Sequence, residues 1–84
     1  TLDFGVEVTD FIGTIYLEGT ENSTISVNSY LDAPQIRTIT TTVATTTTIN
    51  FNDIAIGNYN YFRVTWKNGN YKLAFGTVDK IVVS

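Results

Sequence analysis

A metal site in this chain would need clustered carboxylates, because the sequence contains no histidine and no cysteine. No acidic stretch has the spacing of an EF-hand loop. Glycoside hydrolysis needs two carboxyl groups facing a cleft, and 84 residues leave little material to wall one. We therefore predict a non-enzymatic protein with no catalytic residue and no cofactor. The acidic residues are spread along the whole chain: Asp3, Glu7, Asp10, Glu18, Glu21, Asp32, Asp53 and Asp79.

Calcium is the metal that such scattered carboxylates could hold. Asp32, Asp53 and Asp79 could meet at one end of a sandwich and bind Ca²⁺ together with backbone carbonyls. Loop aspartates are more often turn formers, because their side chains bond the backbone two residues on. We therefore predict no metal site.

The threonine-rich stretch IRTITTTVATTTTINF (36–51) is the most unusual segment. Its even positions from 38 to 50 are nearly all threonine, and its odd positions include Ile39, Val43 and Ile49. This alternation predicts strand with one hydroxylated face. That face is either ordinary solvated surface or a contact with another subunit, since an ice-binding array needs repeated coils in register and a mucin-like stalk needs proline.

This stretch is too long for one straight strand. Sixteen residues at about 3.3 Å each would reach about 53 Å, whereas a compact domain of this length has a radius of gyration of about 12 Å. We expect a bend, bulge or turn near Thr42–Thr46, which divides the stretch into strands at about 35–42 and 45–52.

The segment YNYFRVTWK (59–67) has the clearest strand pattern. Phe62, Val64 and Trp66 share one face, which predicts that they are core. Tyr59 and Tyr61 share the other face, where they either cover the sheet or offer a stacking platform for a sugar or a protein. The candidate contact surface is therefore Thr38, Thr40, Thr42, Thr46, Thr48, Tyr59 and Tyr61.

Further strands are predicted on both sides of these segments. They are LDFGVEV (2–8), GTIYLEG (13–19), TISVNSYL (24–31) and TVDKIVVS (77–84). Asn68-Gly69 predicts a type I′ hairpin whose second strand starts at Tyr71, with Leu73 and Phe75 inward. Gly57 and Gly76 predict a pivot and a bulge respectively. Together these segments predict one all-β domain over residues 1–84. We expect a small antiparallel β-sandwich of seven to eight strands, either Ig-like or jelly-roll-like.

Composition narrows the class of partner. Charged residues make up 15% of the chain, the net charge is −3, and the five cations are scattered, so we predict no nucleic-acid binding. No apolar run approaches the roughly 18–20 residues of a membrane span, and no charged region precedes an apolar one, so we expect neither a membrane partner nor a signal peptide. A chain beginning at Thr1 is equally compatible with a whole protein and a processed fragment. A domain this small without disulfides favours association with other chains.

Two segments resemble small β-sandwich domains of tailed-phage virion structural proteins. GTIYLEGTEN (13–22) looks like their opening strand and turn, and residues 57–84 are similar to their closing hairpin. The second match runs through Tyr59, Tyr61, Phe62, Arg63, Val64, Gly76, Thr77, Val78, Asp79, Lys80, Ile81 and Val83. Together the two segments cover about half of the chain.

This resemblance implies a virion component, such as a capsid decoration protein or a subunit of a tail, neck or fibre. Its partners would be other virion or self protein chains, in a homo-oligomer or on a lattice. One alternative is a carbohydrate-binding or adhesin-like module of a secreted protein at the cell surface, because VDKIVVS (78–84) also looks like the last strand of jelly-roll sugar-binding domains. Another is a subunit of an extracellular filament that donates Leu2–Val8 to its neighbour.

Overall fold

Four strands make up the computed structural model, which describes residues 1–24, 35–68 and 73–83. They are β1 (Leu2–Thr20), β2 (Gln35–Ile54), β3 (Tyr61–Lys67) and β4 (Phe75–Val83). All pairings are antiparallel. The all-β prediction is therefore confirmed, as the density of β-branched and aromatic residues indicated.

β1 lies at the centre of the sheet and pairs with every other strand. On one side it pairs with β2 along nearly its whole length, from Leu2 opposite Ile54 to Glu18 opposite Gln35. On its other side, β4 pairs with the first half of β1 and β3 with the second half. β3 and β4 therefore follow one another along the same edge of β1.

β1 and β2 both bend sharply. A straight strand of 19 residues would be about 63 Å long, but the longest dimension of the molecule is 36 Å. Near the bend, Phe11 pairs with Thr45 and Gly13 with Thr41, which leaves two extra residues on β2. The expected bulge at 42–46 is thus present, but it does not interrupt the strand.

The bend folds the sheet onto itself, so that its two halves form two layers. Arg37 and Asn52 lie fifteen positions apart on β2, yet the Arg37 guanidinium donates a hydrogen bond to the Asn52 carbonyl. Phe4 and Leu17, from opposite ends of β1, line one cleft. The first layer contains the start of β1, the end of β2 and β4, and the second contains the end of β1, the start of β2 and β3.

The core lies between these layers. Phe4 stacks on Phe51 with ring centroids 4.9 Å apart. The buried apolar side chains of β1 are at even positions before the bend and at odd positions after it, because one extra residue at Thr9–Asp10 shifts the alternation by one. The buried apolar side chains are Phe4, Val6, Val8, Phe11, Ile15, Leu17, Ile49, Phe51 and Ile54.

The described residues form four strands, so the expected seven to eight strands are not shown there. The segments 2–8 and 13–19 are one strand, and so are 35–42 and 45–52, because bulges bend the backbone without breaking the ladder. The predicted strand at 24–31 lies almost wholly outside the described residues.

The predicted hairpin between β3 and β4 is wrong as a pairing. β4 pairs with β1, and the expected partners Leu73 and Phe75 are exposed and not inward. Gly69, in the predicted turn, lies outside the described residues.

Candidate protein-contact surfaces

The five candidate threonines do not form one surface. Thr38 and Thr40 pair with Tyr16 and Thr14, on the outer face of the second layer. Thr48 pairs with Glu7, on the outer face of the first layer. All five are exposed, but the fold of the sheet divides them between opposite sides of the molecule. Thr42 and Thr46 belong to the bend between the two sides.

Threonine hydroxyls near the bend bond to backbone groups that the irregular ladder leaves open. The Thr41 hydroxyl donates to the Phe11 carbonyl at 3.1 Å and accepts from the Gly13 amide at 3.3 Å. The Thr46 hydroxyl accepts from the Asp10 amide at 3.0 Å. A bulge removes ladder partners, and a short hydroxyl side chain can replace them. This structural use of threonine was not predicted from the sequence, where only the alternation was visible.

The two candidate tyrosines have different surroundings. Tyr61 is exposed on the outer face of the second layer, and its hydroxyl donates to the Ser23 carbonyl at 3.4 Å. Tyr59 is half-buried and meets the ring of Phe62 edge-on, with centroids 5.8 Å apart. Tyr61 is therefore available for contact together with Thr38 and Thr40, whereas Tyr59 mainly covers the core.

Trp66 is not core, contrary to the prediction. It pairs with the buried Ile15 and so has the expected inward parity, but 45% of its surface is exposed. β3 is the outer strand of its layer in the described part of the chain. Parity fixes the face of a residue, but at the edge of a sheet there is little beyond the strand to cover it.

The most distinctive surface is an apolar cleft of about 200 Å³ between β3 and β4. Its floor is formed by Leu2, Phe4 and Leu17 from the two ends of β1. It opens where the two layers end, so that it reaches directly into the core. The residues of the walls are Phe62, Arg63 and Val64 on β3 and Ile81 and Val83 on β4.

Exposed apolar side chains are concentrated on β3, on β4 and just before β4, and two of them, Ile81 and Val83, line the cleft. Val83 is 72% exposed and Phe75 is 62% exposed, both on β4, and Leu73, just before β4, is 88% exposed. Among the large hydrophobic side chains that are exposed in the described residues, all but Val43 and Ile56 lie on β3, on β4 or just before β4. The sequence indicated apolar strands here, but it predicted several of these residues to be inward.

Two ion pairs join charged side chains of neighbouring strands. The Arg63 guanidinium lies 3.0 Å from the Glu18 carboxylate, which also accepts from the Thr65 hydroxyl at 3.1 Å. Lys80 pairs with Glu7 at 3.7 Å. These pairs lie on the outer faces, so the cleft between the layers is apolar apart from Arg63.

Two of the three aspartates considered for calcium, Asp53 and Asp79, lie in the described residues, and neither belongs to a group of potential metal ligands there. Asp53 has a positive φ of 56°, and its amide donates to the Asp3 carboxylate at 2.7 Å. Asp79 accepts from the Thr9 hydroxyl at 2.8 Å, and Asp32 lies outside the described residues. Within residues 1–24, 35–68 and 73–83, no group of three potential metal ligands occurs.

No protein-family model, curated protein or solved structure matches this chain. In the ranges that the structure describes, no helix is long and apolar enough to cross a membrane.

Proposed function

We propose that this chain is a non-enzymatic structural subunit that binds neighbouring protein chains, in a virion as a capsid decoration or other surface-assembled component. The observation that carries the proposal is the concentration of exposed apolar side chains along β3 and β4, the two strands that border the apolar cleft. The phage form of the proposal depends on the resemblance of residues 13–22 and 57–84 alone.

A surface of this kind favours a protein partner. Contiguous exposed apolar patches are typical of protein contacts, because an uncovered patch leaves the hydrophobic free energy unused and promotes aggregation. Among the described residues, the outer edges of β3 and β4 are unpaired, and their backbone groups are a template for another strand. Apolar side chains and open backbone groups together match a folded protein better than a sugar, which needs polar partners.

The roles of the carboxylates support a non-enzymatic function. Glu18 and Glu7 neutralise cations on the outer faces, and Asp3 and Asp79 accept hydrogen bonds that hold neighbouring strands. A catalytic pair would need two carboxyl groups facing a shared cleft. The cleft between β3 and β4 is lined by none. Glu7 and Asp79 line a second cleft, but the Glu7 carboxylate pairs with Lys80 and the Asp79 carboxylate accepts a hydrogen bond from the Thr9 hydroxyl.

The finer architecture is part of the proposal. β1 and β2 each pass through both layers, so the four described strands already supply six strand segments around one core. We propose that the whole chain is a small sandwich of seven to eight such segments.

Light scattering after size-exclusion chromatography, with negative-stain electron microscopy of the same fractions, tests this function. A defined ring or other closed oligomer is the expected result. Open-ended polymers would instead indicate a filament subunit. In such a filament Leu2–Val8 would pair with a neighbouring chain. In the structure this segment pairs with β2 and β4 of its own chain, so open-ended polymers would contradict that pairing.

A monomer at every concentration that binds a ligand on a glycan array would overturn the proposal. It would support the carbohydrate-binding alternative, with exposed Tyr61 as the first residue to substitute.

A further inference from the structure

The cleft between β3 and β4 has two open strand edges on the same side of the molecule. In the described residues, β3 pairs only with the second half of β1, and β4 pairs only with the first half. Their outer edges therefore border the cleft from the two layers. A partner that fits this side must supply two strand edges and apolar side chains between them.

The area of the apolar surface is suited to a stable interface. Aromatic side chains bury about 150–250 Å² when fully covered, and aliphatic ones somewhat less. The exposed fractions of these side chains correspond to roughly 600 Å² of open apolar surface along β3, β4 and the residues leading into β4. A standard interface buries roughly 800 Å² per partner. The side chains counted are Trp66, Leu73, Phe75, Ile81 and Val83.

A second copy of the chain has the geometry that this side requires. A two-fold axis normal to the layers would place β4 antiparallel to β4 of the second copy, and β3 antiparallel to its β3. Such an axis keeps every side chain on its own face, so that Ile81 and Val83 of both copies would line one shared core. The net charge of −3 per chain opposes this contact only weakly.

We propose that two copies of this chain associate cleft against cleft, with their β4 and β3 edges joined into continuous sheets. The inference rests on the proposed function, because it names the partner and the surface of that subunit. The dimer is then the building unit of any larger assembly, and the threonine-bearing outer faces stay free for further contacts.

Two lysine substitutions on adjacent residues of β4 distinguish the contribution of the cleft to dimerisation from that of the outer face. Val83 lines the cleft, whereas Val82 pairs with Gly5 on the outer face of the first layer. We expect Val83→Lys to weaken dimerisation at least tenfold in Kd, because it places a charge in an apolar interface. Val82→Lys should keep the wild-type Kd within about threefold, since its ammonium group stays in water. Sedimentation velocity measures both, and circular dichroism checks that both variants are folded.

Crosslinking tests the same contact without altering the cleft. The chain contains no cysteine, so Thr77→Cys or Val82→Cys on β4 and Thr38→Cys on β2 each give one reactive position. With a bismaleimide reagent, the β4 variants should form covalent dimers in high yield and Thr38→Cys should not. Crosslinking at Thr38 alone, or an unchanged Kd for folded Val83→Lys, would overturn this inference and leave the proposed function standing. A monomer that crosslinks at no position would overturn both.

Discussion

At the scale of single residues, the bend depends on a few backbone groups and small side chains. Gly76 has a φ of +82°, and a Cβ at this position would lie 2.3 Å from the Asp10 carbonyl oxygen. Thr41 holds the backbone of β1 on the other side of the bend. The fold of the sheet is thus sensitive to two residues that contribute nothing to the hydrophobic core.

Gly76→Ala should be strongly destabilising. The new methyl group would meet backbone atoms of Thr9 and Asp10, which cannot move away without breaking the β1–β4 pairing. We expect a loss of about 3 kcal/mol or more in the free energy of unfolding, measured by urea denaturation. The matched control is Gly57→Ala, at a φ of +55° but with no atom nearer than 3.9 Å, which should cost about 1–2 kcal/mol from the backbone conformation alone. Equal losses would show that close packing at Gly76 does not matter.

Thr41→Val tests whether a hydroxyl stabilises the bend. Valine keeps the shape and the strand preference of threonine but can neither donate to the Phe11 carbonyl nor accept from the Gly13 amide. We expect a loss of about 1–3 kcal/mol, because partly buried backbone groups lose their partner. Thr38→Val, on the exposed outer face, should change stability by less than about 0.5 kcal/mol. If both substitutions were neutral in thermal unfolding, water would have replaced the Thr41 hydroxyl.

At the scale of elements, each long strand serves both layers, and its two halves have different neighbours. The first half of β1 is covered on both sides by β2 and β4, and its even residues form the core with Phe51. β4, by contrast, has only one partner in the described residues and exposes Phe75 at its beginning. Stability is therefore concentrated on β1 and β2, and capacity for association on β4.

Two phenylalanine-to-alanine substitutions measure this division. Phe51 is fully buried against Phe4, so Phe51→Ala should cost about 3–5 kcal/mol in urea denaturation of the monomer. Phe75→Ala should change monomer stability by less than about 1 kcal/mol, but it should weaken self-association in sedimentation velocity. A large loss of monomer stability from Phe75→Ala would show that β4 contributes to the core and not to an interface.

At the scale of the whole molecule, the sequence predicts much of the core, but it does not predict that β1 and β2 bend and continue through both layers. The alternation in LDFGVEV (2–8) puts Phe4, Val6 and Val8 on one face of a strand, and all three are buried in the core. The switch of parity at Thr9 and Asp10 was not visible, because neither residue is a strong signal for a bulge. Trp66 shows a second limit of prediction. A sequence pattern assigns a residue to one face of its strand, but it does not show which strand lies at the edge of the sheet, where an inward residue stays exposed.

The thermal stability of the whole molecule should depend on its concentration if the two-fold dimer forms. Mass action then adds about 1.4 kcal/mol per dimer for each tenfold increase in concentration. For two chains of 84 residues, an unfolding entropy near 2.1 cal/mol/K per residue converts this into a rise in Tm of about 4 °C. Differential scanning calorimetry at several concentrations measures the rise, and Val83→Lys should abolish it while Val82→Lys preserves it. A Tm independent of concentration in the wild-type protein would mean that the exposed apolar side of β3 and β4 does not join two copies, and that its occupant must be a different chain.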